Sequence, residues 1–202
     1  MNRREASKKE TRELILKAAR RLFAQKGMEE CTIRDIARQA GVSPASVVVH
    51  FKSKTALLEE ALNRDIGKAL SELMASLPKD LALLGRLMHL AQGFFRLYDK
   101  NRDLYRAFIR QTIFEPAGET PNLSRLSEQY LLFLSGMLAE EKVRGTIRED
   151  VNTEVAAGAI FSLYLGALIL LFRNPEMTVD LAAEILAAMT EPYLKGISRS
   201  TR

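Results

Sequence analysis

The chain is poor in the residues that carry metal chemistry and covalent catalysis. It has a single cysteine, Cys31, and two histidines, His50 and His89, at no recognised metal-ligand spacing. A nucleophile–base motif and a phosphate-cradling glycine loop are also missing. We therefore predict no enzyme and no metal or other cofactor. One cysteine cannot form an intrachain disulfide, which favours a reducing, cytoplasmic setting with Cys31 partly buried and inert.

Long apolar runs are scarce as well. The basic N-terminus has no apolar run behind it and is not a secretory signal. One uncharged stretch, residues 155–172, meets the lower length limit of a membrane-spanning helix, but Gly158, Ser162, Tyr164 and Gly166 interrupt it. The alternative is a membrane span; we expect a helix buried on most sides and no membrane partner.

Positive charge is concentrated at one end of the chain. Residues 1–54 hold 13 Lys and Arg against 6 Asp and Glu, whereas the remainder holds 17 against 19. With 47% hydrophobic residues the chain has enough apolar material for a core. A basic N-terminal segment on a folded protein indicates a polyanionic partner for that segment.

Residues 32–51 have the spacing of two short helices joined by a tight turn. Thr32 followed by Asp35 is a capping box, and Gly41 stands where the turn needs a left-handed backbone. Ser43 and Pro44 then restart the chain as N-cap and first helical residue. This is the layout of a DNA-reading helix-turn-helix.

The second of these helices has an unusual outward face. At about 100° per residue, Val47 and Phe51 point inward with His50 at the edge. The outward residues are Ala45, Ser46, Val48 and Val49. Three of these four are apolar, and the thymine methyl groups of the major groove would suit them. The alternative is a β-strand over the three valines, which would lack a partner strand.

Basic side chains surround this motif. Lys52 and Lys54 follow the second helix, where they would neutralise phosphates and make binding salt-dependent. Arg34 either touches DNA or pairs with Asp35 or Glu30. At the N-terminus, Arg3, Arg4, Lys8 and Lys9 would either reach a minor groove or form a disordered basic arm with weak contacts to the DNA backbone, and we favour the second.

Apolar periodicity predicts helices along the whole chain and no confident strand. Besides the two helices of the motif, the predicted helices are 8–25, 55–76, 81–98, 103–114, 123–143, 153–172 and 179–195. We predict an all-α fold of about nine helices. Residues 1–54 would form the helix-turn-helix DNA-binding domain and residues 55–202 a helical ligand-binding and dimerisation domain.

Three ordered blocks resemble the TetR/AcrR family of bacterial transcriptional regulators. They are residues 11–27, ending in Gly27, residues 32–43, and residues 50–58, which begin His50-Phe51-Lys52. The resemblance covers about the first 60 residues. It implies a homodimer whose first three helices bind double-stranded operator DNA, and whose C-terminal helices hold a small-molecule effector and the dimer interface.

The family pattern places a defined set of residues at the DNA. Those approaching it are Thr32, Arg34, Ser43, Pro44, Ala45 and Ser46, with His50 and Lys54 near the backbone. This chain departs from the pattern at Val48, where most members have a phosphate-contacting tyrosine. We therefore expect base reading to depend more on methyl contacts, through Val48 and Val49.

The C-terminal half is rich in aromatic residues, most of them expected in the core. The ligand-binding candidates are His89, Gln92, Phe95, Arg96, Tyr105, Phe108, Arg110, Gln111, Tyr130, Phe133, Phe161 and Tyr164. Arg96 and Arg110 would otherwise form surface pairs with Asp99 or Asp103.

A homodimer through helices 153–172 and 179–195 is favoured by the small residues Gly158, Ser162 and Gly166, and by Leu181, Ile185, Leu186 and Met189. The alternative is packing of these helices within one subunit. We predict a transcriptional repressor released by a small apolar or aromatic ligand; the alternative is a DNA-bound structural or cell-division factor of the same fold without a ligand.

Overall fold

The computed structural model describes residues 3–199, and this part of the chain contains nine helices. They are α1 (Arg3–Glu30), α2 (Ile33–Ala40), α3 (Pro44–His50), α4 (Lys54–Ala75), α5 (Leu83–Asp99), α6 (Arg102–Thr112), α7 (Pro121–Val143), α8 (Thr153–Arg173) and α9 (Val179–Ile197). An isolated antiparallel bridge joins Ile147 and Ser198. The prediction of an all-α protein is confirmed.

Side-chain caps define several helix starts. The side chains of Asn101, Asn152 and Thr178 accept hydrogen bonds from the first backbone amides of α6, α8 and α9. The predicted bounds of these helices were accordingly close. The first helix begins earlier than predicted, at Arg3. Its predicted end coincides with a break at Gly27, where φ is 76°, and a short helical segment follows up to Glu30.

The expectation of a disordered basic arm was wrong for the described residues. Arg4, Lys8 and Lys9 are exposed residues of α1, which begins at Arg3. The side chain of Arg3 and residues 1–2 lie outside the described part of the chain.

Two compact units can be distinguished by their internal contacts. The first comprises the chain up to Gly67 together with Asn101–Ser124. In it α1 packs against α2 and α6, and α2 packs against α3. Its buried core includes Ile15, Ala19, Phe23, Ile36, Val47, Leu57 and Phe108. Leu14, next to the buried Ile15, is 47% exposed.

The second unit comprises Lys68–Lys100 and the chain from Arg125 onward. Here α9 packs against both α5 and α8. The end of α4 lies so close to α5 that a Cβ placed on Gly93 would be 2.1 Å from a methyl group of Leu73. Only glycine fits at that position without a shift of the leucine.

Helix α4 has residues in both units, since the division falls between Gly67 and Lys68. Helix α7 likewise begins in the first unit and continues in the second. The division of roles between residues 1–54 and 55–202 stays a prediction. It differs from this compact-unit division, which also assigns residues 101–124 to the first unit.

Candidate DNA interface and buried aromatic cluster

The helix-turn-helix has the local geometry that its sequence predicts. Thr32 and Asp35 form the capping box: the Asp35 amide donates to the Thr32 hydroxyl at 3.1 Å and the Thr32 amide donates to the Asp35 carboxylate at 3.1 Å. Bonds from Thr32 lower the pKa of Asp35. Gly41 has φ 70°, ψ 30° and ends α2. Ser43 then caps α3 through a 3.1 Å bond from the Ser46 amide.

Helix α3 turns one valine inward and two outward. Val47 is fully buried, whereas Val48 is 58% and Val49 is 78% exposed. Phe51, the residue after the helix, is also buried. The alternative of a strand over the valines was therefore wrong, and an apolar patch faces solvent beside the exposed Lys52.

Arg12 of α1 fixes the end of α3. Its guanidinium donates to the carbonyl oxygen of His50 at 2.7 Å and lies 4.3 Å from the centroid of the Phe51 ring. It also forms an ion pair with Glu60 of α4, with an Nε to carboxylate distance of 2.9 Å. Sequence reasoning did not single out Arg12, because its three contacts come from residues far along the chain.

His50 carries a perturbed ring at this junction. Its Nδ1 atom is buried without a hydrogen-bond partner. Burial, and then the charges of Arg12 and Lys8, lower the pKa of the imidazole. The neutral ring is therefore favoured, consistent with a structural rather than a switching role.

The predicted DNA-binding residues lie in the first unit. Those exposed are Thr32, Arg34, Ser43, Pro44, Ala45, Val48, Val49 and Lys52, and those half-buried are Ser46, His50 and Lys54. The ammonium group of Lys54 donates to the Glu29 carbonyl at 3.4 Å, so it is partly engaged within the protein. Asp35 pairs with Arg38 at 3.3 Å, and the contact of Arg34 with DNA stays a prediction.

A cluster of aromatic rings fills the second unit. We define the aromatic cluster as Phe94, Phe95 and Tyr98 of α5, Tyr130 of α7, and Phe161, Tyr164 and Phe172 of α8. Neighbouring rings have centroid separations between 5.5 Å, for Phe95 and Tyr164, and 6.3 Å. Three helices thus contribute to one uncharged surface.

The polar groups within the cluster are phenols. Burial raises the pKa of Tyr98 to about 12 and raises those of Tyr130 and Tyr164 as well. The Tyr98 and Tyr164 hydroxyls are near enough to affect each other's titration, but the Tyr164 hydroxyl makes no hydrogen bond of good geometry. A buried hydroxyl in this state is a ready partner for a bound molecule.

The ligand-binding candidates separate into three groups. The cluster brings together Phe95, Tyr130, Phe161 and Tyr164; Phe94, Tyr98 and Phe172 are members that sequence reasoning did not include among the candidates. Phe172 follows Tyr164 by about two helical turns, so the sequence alone places both residues on the same face of α8. A second group lies in the first unit and comprises Tyr105, Phe108, Arg110 and Gln111. The third group lies in the second unit outside the cluster and comprises His89, Gln92, Arg96 and Phe133.

Several polar candidates have partners close by. Arg110 forms an ion pair with Glu29, and the Gln111 amide is 3.4 Å from the Thr55 hydroxyl. The His89 Nε2 atom is 3.3 Å from the Ser76 hydroxyl, and Arg96 is 3.5 Å from Gln92. The predicted alternative that Arg110 pairs with Asp99 or Asp103 was therefore wrong. Phe133 is half-buried on α7.

Helices α8 and α9 expose large apolar side chains. Val155 is 68%, Ile169 46% and Leu181 44% exposed. A Cβ added at Gly158 or Gly166 would meet nothing within 4 Å, so this stripe is open within one chain. Leu186, predicted at the dimer interface, is instead buried inside the protomer. Helix α8 is long and apolar enough to span a membrane, with 44% of its most apolar window buried.

The chain is similar in sequence to known bacterial transcriptional regulators. The model of the bacterial regulatory proteins of the tetR family matches residues 15–61. YerO, an uncharacterized HTH-type transcriptional regulator of Bacillus subtilis, is 42% identical over an alignment of 207 residues, gaps included. The alignment covers 95% of this chain and 67% of YerO. BepR, an HTH-type transcriptional repressor of Brucella suis, is 28% identical over 83% of each chain.

Among solved structures, FadR of Bacillus subtilis in complex with stearoyl-CoA has a similar fold. The TM-score is 0.69 at 22% sequence identity, and the match covers 91% of this chain and 98% of that one.

Proposed function

Because this chain belongs to the TetR family of bacterial transcriptional regulators, we propose that it is a homodimeric repressor whose operator binding is released by a small uncharged aromatic ligand. We place it in the cytoplasm, where its DNA lies. The repressor relative BepR supports the direction of regulation.

The observation that supports the DNA-binding role is that α3 has one buried and two exposed valines. Val47 anchors the helix in the core, while Val48 and Val49 present exposed methyl groups. In the major groove these groups would contact thymine methyls, and Lys52 beside them would neutralise phosphate. The remaining predicted contacts flank α3 from the turn and from the start of α2.

The dimer is supported by the exposed apolar face of α8 and α9. Val155, Ile169 and Leu181 lie on it, and the open glycine stripe allows a second helix to approach closely. Pairing of this face with its copy would form a four-helix bundle and remove the apolar surface from water. The two copies of α3, the recognition helices, would then read the half-sites of a near-palindromic operator.

The ligand class follows from the aromatic cluster. Its members carry no charge, so a buried anion or cation would lack an ionic partner among them. A flat ring would have to separate rings whose centroids now lie 5.5–6.3 Å apart, and a hydroxyl or carbonyl on it would satisfy the Tyr164 hydroxyl. The acyl-CoA bound by FadR belongs to that protein; here we favour an uncharged ring compound with one polar group.

Helix α4 is the proposed route of release. In the second unit Leu73 contacts Gly93, next to the cluster residues Phe94 and Phe95. Displacement of α5 by a ligand would therefore push on α4, which continues into the first unit. A change in the tilt of α4 would alter the spacing of the two recognition helices.

The test combines gel retardation with chromatin immunoprecipitation in the native host. We expect salt-sensitive, sequence-specific retardation of DNA upstream of the chain's own or a neighbouring gene, and raised expression of that gene after deletion. Absence of any sequence-specific retardation at moderate salt would refute the proposal. Many dispersed sites without expression changes would instead indicate a structural DNA-bound factor.

A further inference from the structure

The start of α7 is capped by a carboxylate from another helix. Glu59 of α4 accepts hydrogen bonds from the backbone amides of Asn122 at 2.7 Å and Leu123 at 2.9 Å, and from the Asn122 side chain at 3.0 Å. Those amides are donors that an N-cap side chain ordinarily satisfies. Here the acceptor lies 63 residues away from Asn122 in sequence.

This contact is tight and shielded from water. Glu59 is only 2% exposed. A carboxylate at the positive end of a 23-residue helix is stabilised by the helix dipole as well as by the amides. Any movement of the α7 terminus away from α4 would leave this buried charge without its hydrogen-bond donors, so the two helix segments should move together.

The neighbouring residue of α4 connects to the recognition helix. Glu60 pairs with Arg12, which in turn bonds the His50 carbonyl and covers the Phe51 ring. Two consecutive glutamates of α4 therefore face two partners: Glu59 holds α7, and Glu60 holds Arg12. All of these contacts lie within the first unit.

An open groove borders this assembly. A groove of about 1160 Å³ is lined by Arg12, Glu60, Asn63, Pro121 and Asn122, among other residues. The start of α7 and the Arg12 ion pair thus border free volume. Further along, α7 carries Tyr130 of the aromatic cluster.

We infer that Glu59 is the positioning residue that couples the start of α7 to the recognition helix, through Glu60 and Arg12. The inference deepens the proposed function and rests on it for its biological meaning. Glu59 itself touches neither DNA nor ligand; it acts through α4. The route runs from the α7 terminus to Glu59, along α4 to Glu60, and through Arg12 to the end of α3.

Amide hydrogen exchange on the free, full-length protein tests this coupling. In Glu59→Gln we expect the Asn122 and Leu123 amides to exchange about tenfold faster, since the charged acceptor is replaced by a neutral one. We expect the Phe51 amide, bonded to the Val47 carbonyl at 2.9 Å, to accelerate several-fold as well. The Leu168 amide of the α8 core reports global opening, and rates are compared after its change is subtracted.

The matched control is Glu72→Gln, which alters an exposed α4 glutamate paired with Lys68 at 3.6 Å. It should leave Asn122, Leu123 and Phe51 unchanged. Faster exchange at Asn122 and Leu123 with no excess change at Phe51 would show that Glu59 is only a local cap, and would overturn the inference. The measurement contains no DNA, so its result is separate from that of the operator experiment above.

Discussion

The guanidinium of Arg12 donates a 2.7 Å hydrogen bond to the carbonyl oxygen of His50, the last residue of α3. This bond, together with the Phe51 ring and Glu60, ties the recognition helix to both α1 and α4. Orientation of the reading face therefore depends on a residue that need not touch DNA.

Replacement of Arg12 by alanine should weaken operator binding about tenfold, because a hydrogen bond to a charged group contributes about 1.5–3 kcal/mol. Fluorescence anisotropy with a labelled operator measures the change. Arg64→Ala is the control, since Arg64 pairs with Glu13 at 3.1 Å across the same two helices but is 68% exposed. Equal losses in both variants would contradict a specific role for Arg12.

Base reading and phosphate binding should separate by mutation. Lys52→Ala should weaken binding to operator and random DNA alike, and the slope of log K against log salt should become shallower by about 0.9 for each phosphate that is no longer neutralised. Val49→Ala should reduce affinity for the operator and leave random DNA unaffected. Salt titrations on both duplexes make the comparison. A flatter salt dependence in the valine variant would disagree with this assignment.

Removal of the Tyr164 hydroxyl should not destabilise the protein. Because this buried hydroxyl has no hydrogen-bond partner, Tyr164→Phe should be neutral or raise the free energy of unfolding by up to about 1 kcal/mol. Thermal unfolding followed by circular dichroism provides the measurement, with Tyr193→Phe on α9 as control. A clear drop in the melting temperature would mean that the hydroxyl has a partner.

The same variant examines the ligand class. At pH 7 the uncharged 2-naphthol should raise the melting temperature of the wild-type protein, whereas the anion 2-naphthoate should not. In Tyr164→Phe the rise caused by 2-naphthol should be smaller. Stabilisation by 2-naphthoate instead would point to a cation near the cluster that our proposal does not include.

Acid should destabilise the junction at His50. The pKa of this imidazole is lowered in the folded state, so the unfolded chain binds more protons as the pH falls from about 7 to 5. The contribution of the neutral ring is present above the unfolded pKa and is lost below it. Urea unfolding at several pH values should therefore show a smaller pH dependence in His50→Gln. His89→Gln, which removes the other histidine, is the comparison.

Charge placed on the exposed face of α8 and α9 should dissociate the dimer. Leu181→Glu would bury an unpaired carboxylate at the proposed interface, and analytical ultracentrifugation should show a monomer. Leu132→Glu alters a residue on α7 that is 70% exposed and should leave the dimer intact. The reverse result would move the interface to α7.

Local features were readable from the sequence because their causes are local. The capping box of α2, the left-handed Gly41 and the burial of Val47 all follow from residues within a few positions of one another. The count and type of helices follow from apolar periodicity in the same way.

Contacts between distant residues were not readable. Arg110 looked like a ligand contact or a partner of a nearby aspartate, yet its partner is Glu29. The spacing of Tyr105 and Phe108 predicts burial, but it does not say in which of the two compact units these residues are buried. The contacts of Arg12 and Glu59 likewise join residues far apart in sequence, and charged residues are mostly found at the surface.

The arrangement of the three valines has an evolutionary consequence. Val47 alone of the three is buried, so substitutions at Val48 and Val49 remove little packing and should change stability by less than about 0.5 kcal/mol. Operator preference is then free to drift at two positions while the fold is held by a third. Descendants of this regulator can acquire new target genes without first acquiring extra stability.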